Sequence, residues 1–238
     1  MSLTKSISQF IDNTLIDLGR QFRWSYLPPL MIYVAAGISG LTGIVGVFFI
    51  KDYLNLSAAF LAGLGFWAGI PWALKMPLGH LVDLIWQRKN YLVFVGAGLI
   101  ALSVIIMYGL IIHTETMASI LKVETWFIVS ALLAPVGYVT QDVVADAMTV
   151  EAVPSTDDQG NKYSTQQIKI MHTTMQTLGR FAIIGGFVLV ALVNVVMFAG
   201  VSALSGPEKI EIYGRIYLYA LIIPIVSVSG VFLAMYLK

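Results

Sequence analysis

Six long apolar runs separated by short polar turns leave this chain few folds to choose from. They lie at about 30–50, 57–78, 91–112, 125–150, 170–198 and 215–237. Each is close to the roughly 20 residues an α-helix needs to cross a bilayer. Hydrocarbon offers no hydrogen-bond partners, so such a run must satisfy its own backbone, as a helix does. Charged residues make up only 11% of the 238, against about 25% in a soluble domain. The expected fold is an all-α membrane protein, a six-transmembrane-helix bundle in contact with the lipid bilayer. A net charge of +1 leaves no electrostatic footprint for nucleic acid. With no cysteine, disulfides, thiolate metal sites and thiol nucleophiles are excluded.

Ahead of the first run, Ile7, Phe10, Ile11, Leu15, Leu18 and Phe22 recur at helical spacing, with Asp12, Asp17, Arg20 and Arg23 off that stripe. This divides the chain into an amphipathic interfacial helix over 1–26 and a bundle over 27–238. Pro28 and Pro29 suit a helix start, and Gly37, Ser39, Gly40, Gly43 and Gly46 give the first span a face that neighbouring backbones can approach closely. Pro71 and Pro77 imply a kink in the second span. Lys5, Arg20, Arg23, Arg88, Lys89, Lys162 and Lys238 fall on one side of the bundle. Lys51, Lys122, Lys209 and Arg215 fall on the other. The richer side is expected to be cytoplasmic, which puts both termini inside a cytoplasmic (inner) membrane.

Charges within the spans are few and concentrated. The fourth span ends in Gln141-Asp142-Val143-Val144-Ala145-Asp146-Ala147-Met148-Thr149-Val150-Glu151. Asp142 and Asp146 are four apart and share a helix face. A carboxylate at the centre of a span costs roughly 2.5–3.5 kcal/mol to insert, so it implies partners and a function. The fifth span opens on a polar stripe, His172, Gln176 and Arg180, and the second carries Lys75. Arg180 lies at a depth similar to that of Asp142, and consecutive spans tend to be neighbours, so an Asp142–Arg180 pair is expected, joined by Asp146 and Lys75. These residues, with Gln141, Gln176 and His172, are the candidates for binding a small anionic or zwitterionic organic solute or for coupling a proton. The weighed alternative is a static salt-bridge network holding the helices in register. Gly79, Asp83, Arg88, Lys89 and Glu151, at the rim, are expected to form a cytoplasmic gate or latch. Neither a metal cluster nor a nucleophile–base arrangement nor a phosphate loop is visible, so neither a cofactor nor an enzymatic activity is expected.

Gly79, Asp83, Arg88 and Lys89 resemble the Gly-x-x-x-Asp and basic-pair signature of the major facilitator superfamily. Pro71-Trp72-Ala73-Leu74-Lys75 followed by Gly79 and Asp83 is similar to the Pro-Trp-x-x-Lys-Pro-x-x-Gly-x-x-x-Asp pattern of the folate–biopterin transporter family, with the second proline displaced to Pro77. The stretch from Asp142 to Glu151 resembles that family's Asp-Val-Val-x-Asp-Ala-x-x-Val-Glu, and Arg180 matches a span-five arginine followed by small residues. The resemblance covers about 28–186. It implies the N-terminal half of a major facilitator fold, built from two inverted three-helix repeats. It further implies alternating-access import or symport of a folate- or pterin-like solute. A second six-helix half would complete the site, either a C-terminal half or a second copy. The rival reading from another class is a non-transporting membrane scaffold or assembly factor on the same half-fold.

Overall fold

The structure, a computed structural model, describes residues 17–49, 56–157 and 159–237. Most of the expected interfacial helix over 1–26 lies outside the described residues; Asp17–Arg20 form one helical turn. Among the described residues six helices are long and apolar enough to cross a membrane: α1 (Trp24–Val47), α2 (Ala58–Leu84), α3 (Asn90–Ile112), α4 (Val123–Ala152), α5 (Thr165–Met197) and α6 (Gly206–Tyr236). The chain is an all-α membrane bundle. Between α4 and α5, Thr156 and Lys162 form an isolated antiparallel bridge across the loop.

Several boundaries differ from the hydropathy pattern, and local chemistry explains each. The expected loop after the second run is helical through Leu84. The fifth and sixth helices start earlier than their apolar runs because capping boxes nucleate them. Ser164 and Gln167 satisfy each other's end of α5, and Ser205 and Glu208 do the same for α6. Such reciprocal caps supply partners to backbone N–H groups that the first turn leaves unpaired. Pro207 in the first turn of α6 adds a preset backbone angle. The linker before α4 contains a short helix, Thr114–Ile120, whose Met117 carbonyl accepts the Trp126 indole N–H at 2.9 Å.

Three of the spans are interrupted; α6 ends one helical segment at Ala220 and starts the next at Ile222. In α1 the backbone tightens to a 3-10 helix over Ile38–Thr42. In α2 the helix ends at Ala73 and restarts at Lys75. The cause is Pro77: it lacks the N–H that would bond the Ala73 carbonyl, and its ring crowds that oxygen. Leu74 turns the chain at the break and donates to the carbonyls of Ile70 and Pro71.

α3 and α4 form the most extensive helix pair, and α1 packs on α4, α5 and α6. α2 packs chiefly on α4, and its most apolar stretch has no buried residue. Two apolar clusters fill the bundle, one toward each end. Phe49, Leu110 and Ile216 belong to one; Tyr26, Val144 and Met175 belong to the other. Between α3 and α4 the spacing is set by small residues. A Cβ on Gly137 would stand 2.6 Å from the Gly96 carbonyl oxygen, and a Cβ on Gly96 would stand 2.7 Å from that of Gly137. Just along this seam Ser103 Oγ donates to the Ser130 carbonyl at 2.8 Å, and Ser130 Oγ returns a bond to the Ser103 carbonyl at 3.0 Å. The same device joins α1 to α5, where Gly37 and Gly186 face one another.

The seam predicts that Gly137→Ala lowers stability by about 1–3 kcal/mol, since a backbone oxygen on the facing helix cannot rotate away. Gly98→Ala, with nothing within 4 Å, leaves stability unchanged or slightly higher. Thermal unfolding of the two variants in detergent distinguishes them.

Candidate functional site

The break in α2 places Lys75 at the start of a new helical segment, turned toward α4. Its Nζ lies 2.5 Å from Asp142 Oδ2 and 2.9 Å from Asp146 Oδ2. The two carboxylates, one helical turn apart, form a cleft that a single ammonium fills. From α1, Tyr33 donates its hydroxyl to Asp146 Oδ1 at 2.6 Å. The Tyr33 ring lies against Gly179 of α5, where an added Cβ would come within 2.9 Å of it. Four helices therefore converge on one polar cluster.

The depth of the cluster follows from helix rise. Asp142 is about ten residues from the end of α4 at Ala152, and Lys75 about nine from the end of α2 at Leu84. Both lie about 14–15 Å in from the ends of their helices on the same side of the bundle. The cluster is not sealed. The Asp142 side chain is 11% exposed, but those of Lys75 and Asp146 are 39% and 50% exposed. It forms a charged wall on the open side of the bundle, between α2 and α4.

The expected Asp142–Arg180 pair does not form. α5 packs mainly on α1 and only slightly on α4, so Arg180 stays exposed and joins no ion pair among the described residues. Lys75 takes the place assigned to it. His172 and Gln176 have no hydrogen bond to the cluster. Gln141 faces away from it. Its amide donates to the Val93 carbonyl at 3.0 Å and to Ser227 Oγ at 2.8 Å, tying α4 to α3 and α6. Its position is that of a buried clamp between helices.

A second ion pair closes the rim. Lys89 is 3% exposed, its Nζ 2.5 Å from Glu151 Oε1 and 4.1 Å from the centroid of Trp86. Trp86 lies in the short 3-10 turn linking α2 to α3, and Glu151 in the last turn of α4. The pair therefore holds the α2–α3 turn to the end of α4. Of the other rim candidates, Asp83 and Arg88 are exposed and outside the ion pairs of the described residues, and Gly79 rests on Val143 of α4. Tyr33 was not anticipated from the sequence, although a polar-tipped residue among Leu30-Met31-Ile32 and Val34-Ala35-Ala36 was the available signal.

The chain is similar to a folate-biopterin transporter of Synechocystis sp., with 30% identity over 138 residues, 56% of this chain. The match spans 26% of that relative, so the chain covers just over a quarter of its length. No family model matches the chain, and no solved structure matches it.

Removing the Glu151 charge strands a buried ammonium. Loss of one member of a buried ion pair costs about 3–5 kcal/mol; with the Glu151 side chain 28% exposed, Glu151→Gln is expected to cost about 2 kcal/mol. Combining Glu151→Leu with Lys89→Met restores most of that loss, since neither charge is then left behind. Unfolding in a graded denaturant series on the single and double variants checks both statements.

Proposed function

We propose that this chain is one half of a secondary transporter of major facilitator type, moving an anionic or zwitterionic organic solute of folate or pterin kind by alternating access. The observation that carries the reading is the half-open cluster of Lys75, Asp142, Asp146 and Tyr33 within the membrane-spanning helices. A pair needed only to fasten helices gains nothing from an opening to one side. Charges kept within spans belong by default to solute or proton pathways. The named similarity to a folate-biopterin transporter supports the same class.

The charge balance supports proton coupling. One ammonium faces two carboxylates, leaving one net negative charge when all three are ionised. A proton neutralises that charge, and an anionic solute drawn to Lys75 would release a carboxylate to accept one. The rim pair of Lys89 and Glu151 serves as the latch that opens as the bundle rocks. A second six-helix half supplies the opposite wall, and the uncovered face of α2 is the natural place for part of that contact. In this arrangement both termini lie on the cytoplasmic side of the inner membrane.

The test is uptake of labelled folate and biopterin into vesicles carrying the native protein together with whatever second half or copy it holds in its own membranes. Saturable uptake accelerated by an acidic exterior is expected. Asp142→Asn and Lys75→Gln should each reduce it by about tenfold or more, the scale set by losing one charge-assisted contact. Uptake that keeps its rate and its pH response in both variants would remove the cluster from the mechanism. Absence of uptake for every anionic solute offered, with the protein folded and inserted, would favour the scaffold reading.

A further inference from the structure

A cavity of about 460 Å³ lies one helical turn from the charge cluster, among α1, α2, α3, α4 and α6. Its size falls within the range of small-ligand sites. Three helices carry both features. Tyr33, Lys75 and Asp142 belong to the cluster, whereas Ala36, Trp72 and Tyr138, three or four residues along the same helices, line the cavity. At about 1.5 Å per residue that is a step of about 5–6 Å. All three steps run the same way. α1 enters beside the end of α4, where Ser25 Oγ donates to the Ala152 carbonyl at 2.7 Å, and each step leads away from that end. The cavity therefore continues inward from the cluster, and one elongated solute can reach both.

The cavity walls combine aromatic rings with open polar groups. Phe127 of α4 and Tyr217 of α6 are buried there, and Trp72 of α2 is 47% exposed. Among the described residues the Trp72 indole N–H, the Tyr138 hydroxyl and the Ser39 hydroxyl take part in no hydrogen bond. Two further hydroxyls at the cavity, those of Ser103 and Ser130, are engaged with each other's carbonyls. An acceptor comes from the backbone of α4. Pro135 lies inside that helix and has no N–H to offer the Ala131 carbonyl, and both residues line the cavity. Hydrocarbon cannot pair such groups, so they are tolerated at this depth only where protein lines a cavity. Open donors and an open acceptor beside aromatic walls match a flat ring that carries nitrogen and oxygen around its edge. Indole and phenol rings supply the stacking surface that such rings favour.

The cluster thus supplies charge at one end of a path, and the cavity supplies aromatic surface and hydrogen-bonding groups at the other. We infer that the cavity binds a planar heteroaromatic ring of the transported solute, recognised by Trp72 and Tyr138, while the solute's charged group rests on the cluster of Lys75, Asp142 and Asp146. The assignment rests on the transport reading above and adds to it which part of the solute each region recognises. Trp72 is the residue that distinguishes a solute with such a ring from an aliphatic anion.

The experiment measures equilibrium binding to the protein purified with whatever second half or copy it holds in its own membranes. Three probes separate ring from charge: pterin-6-carboxylate carries both, biopterin carries the ring without the anion, and cyclohexanecarboxylate carries the anion on a saturated ring. Trp72→Leu is expected to weaken both pterins by about tenfold, the scale of one lost stacking contact, and to leave cyclohexanecarboxylate unchanged. Lys75→Gln is expected to weaken the two carboxylates and to leave biopterin unchanged. Tyr138→Phe, which keeps the ring and removes only the hydroxyl, weakens both pterins by a smaller factor. The ligand-free melting temperature of each variant shows whether it is folded, so a general loss of stability does not imitate loss of the site. Pterin affinities unmoved by Trp72→Leu would overturn the ring site, and their continued dependence on Lys75 would leave the transport reading standing. Dependence on Trp72 without dependence on Lys75 would uphold the ring site and remove the charge cluster instead. Failure of either pterin to bind the unaltered protein would overturn the ring site.

Discussion

An ammonium and two carboxylates within membrane-spanning helices can persist only if they meet. The geometry of the bundle on its open side depends on that requirement. α2 packs chiefly on α4, with Phe60, Leu61 and Leu64 partly buried against one apolar cluster and Val82 buried in the other. The contacts from Lys75 to Asp142 and Asp146 hold α2 on α4 at one depth and one rotation. At the rim, Lys89 and Glu151 repeat the arrangement, joining the turn after α2 to the end of α4. These two sets of charge contacts fasten α2, and the turn after it, to α4. The rest of α2 is left to lipid or to another set of helices.

Elsewhere in the bundle attachment is of a different kind. α3 and α4, and α1 and α5, meet through glycines whose missing Cβ atoms let backbone approach backbone. Lipid tails are as apolar as leucine, so burying more leucine would gain little inside a membrane; close packing and hydrogen bonds between spans supply the cohesion instead. The reciprocal serine bonds between α3 and α4, and the Gln141 clamp that reaches α3 and α6, fit that account. The molecule therefore has a tightly seamed body and one span joined to it by charge as well as by apolar contact.

Much of this was legible in the sequence, for physical reasons that can be named. Hydropathy located all six spans because a bilayer imposes a length and a composition together. It misplaced the starts of α5 and α6 because their first turns are polar, and the signals there are caps: Ser164 with Gln167, and Ser205 with Glu208. Those spacings were readable, but a hydropathy pattern does not weigh them. Pro71 and Pro77 announced a break in α2. Only the rule that proline disrupts the carbonyl four residues earlier puts the break after Ala73, beside Lys75. The partner of Asp142 was not readable. Sequence adjacency favoured α5 and hence Arg180, whereas the glycine seam commits α5 to α1 and hands the carboxylate to Lys75.

Tyr33 shows why that rearrangement matters for the site. Because α5 lies on α1, Gly179 can receive the Tyr33 ring, whose hydroxyl bonds Asp146. A glycine on one span, a tyrosine on the next and an aspartate on a third thus act in series. A shift of α5 against α1 would move the donor on Asp146 without touching Lys75, and a shift of α2 against α4 would move Lys75 without touching Tyr33. The two aspartates, though one helical turn apart, answer to different helices. Among the described residues Asp142 bonds the cation of α2, and Asp146 is shared between that cation and the hydroxyl of α1. In the alternating mechanism proposed above, relative motion of the helices would change which carboxylate is neutralised.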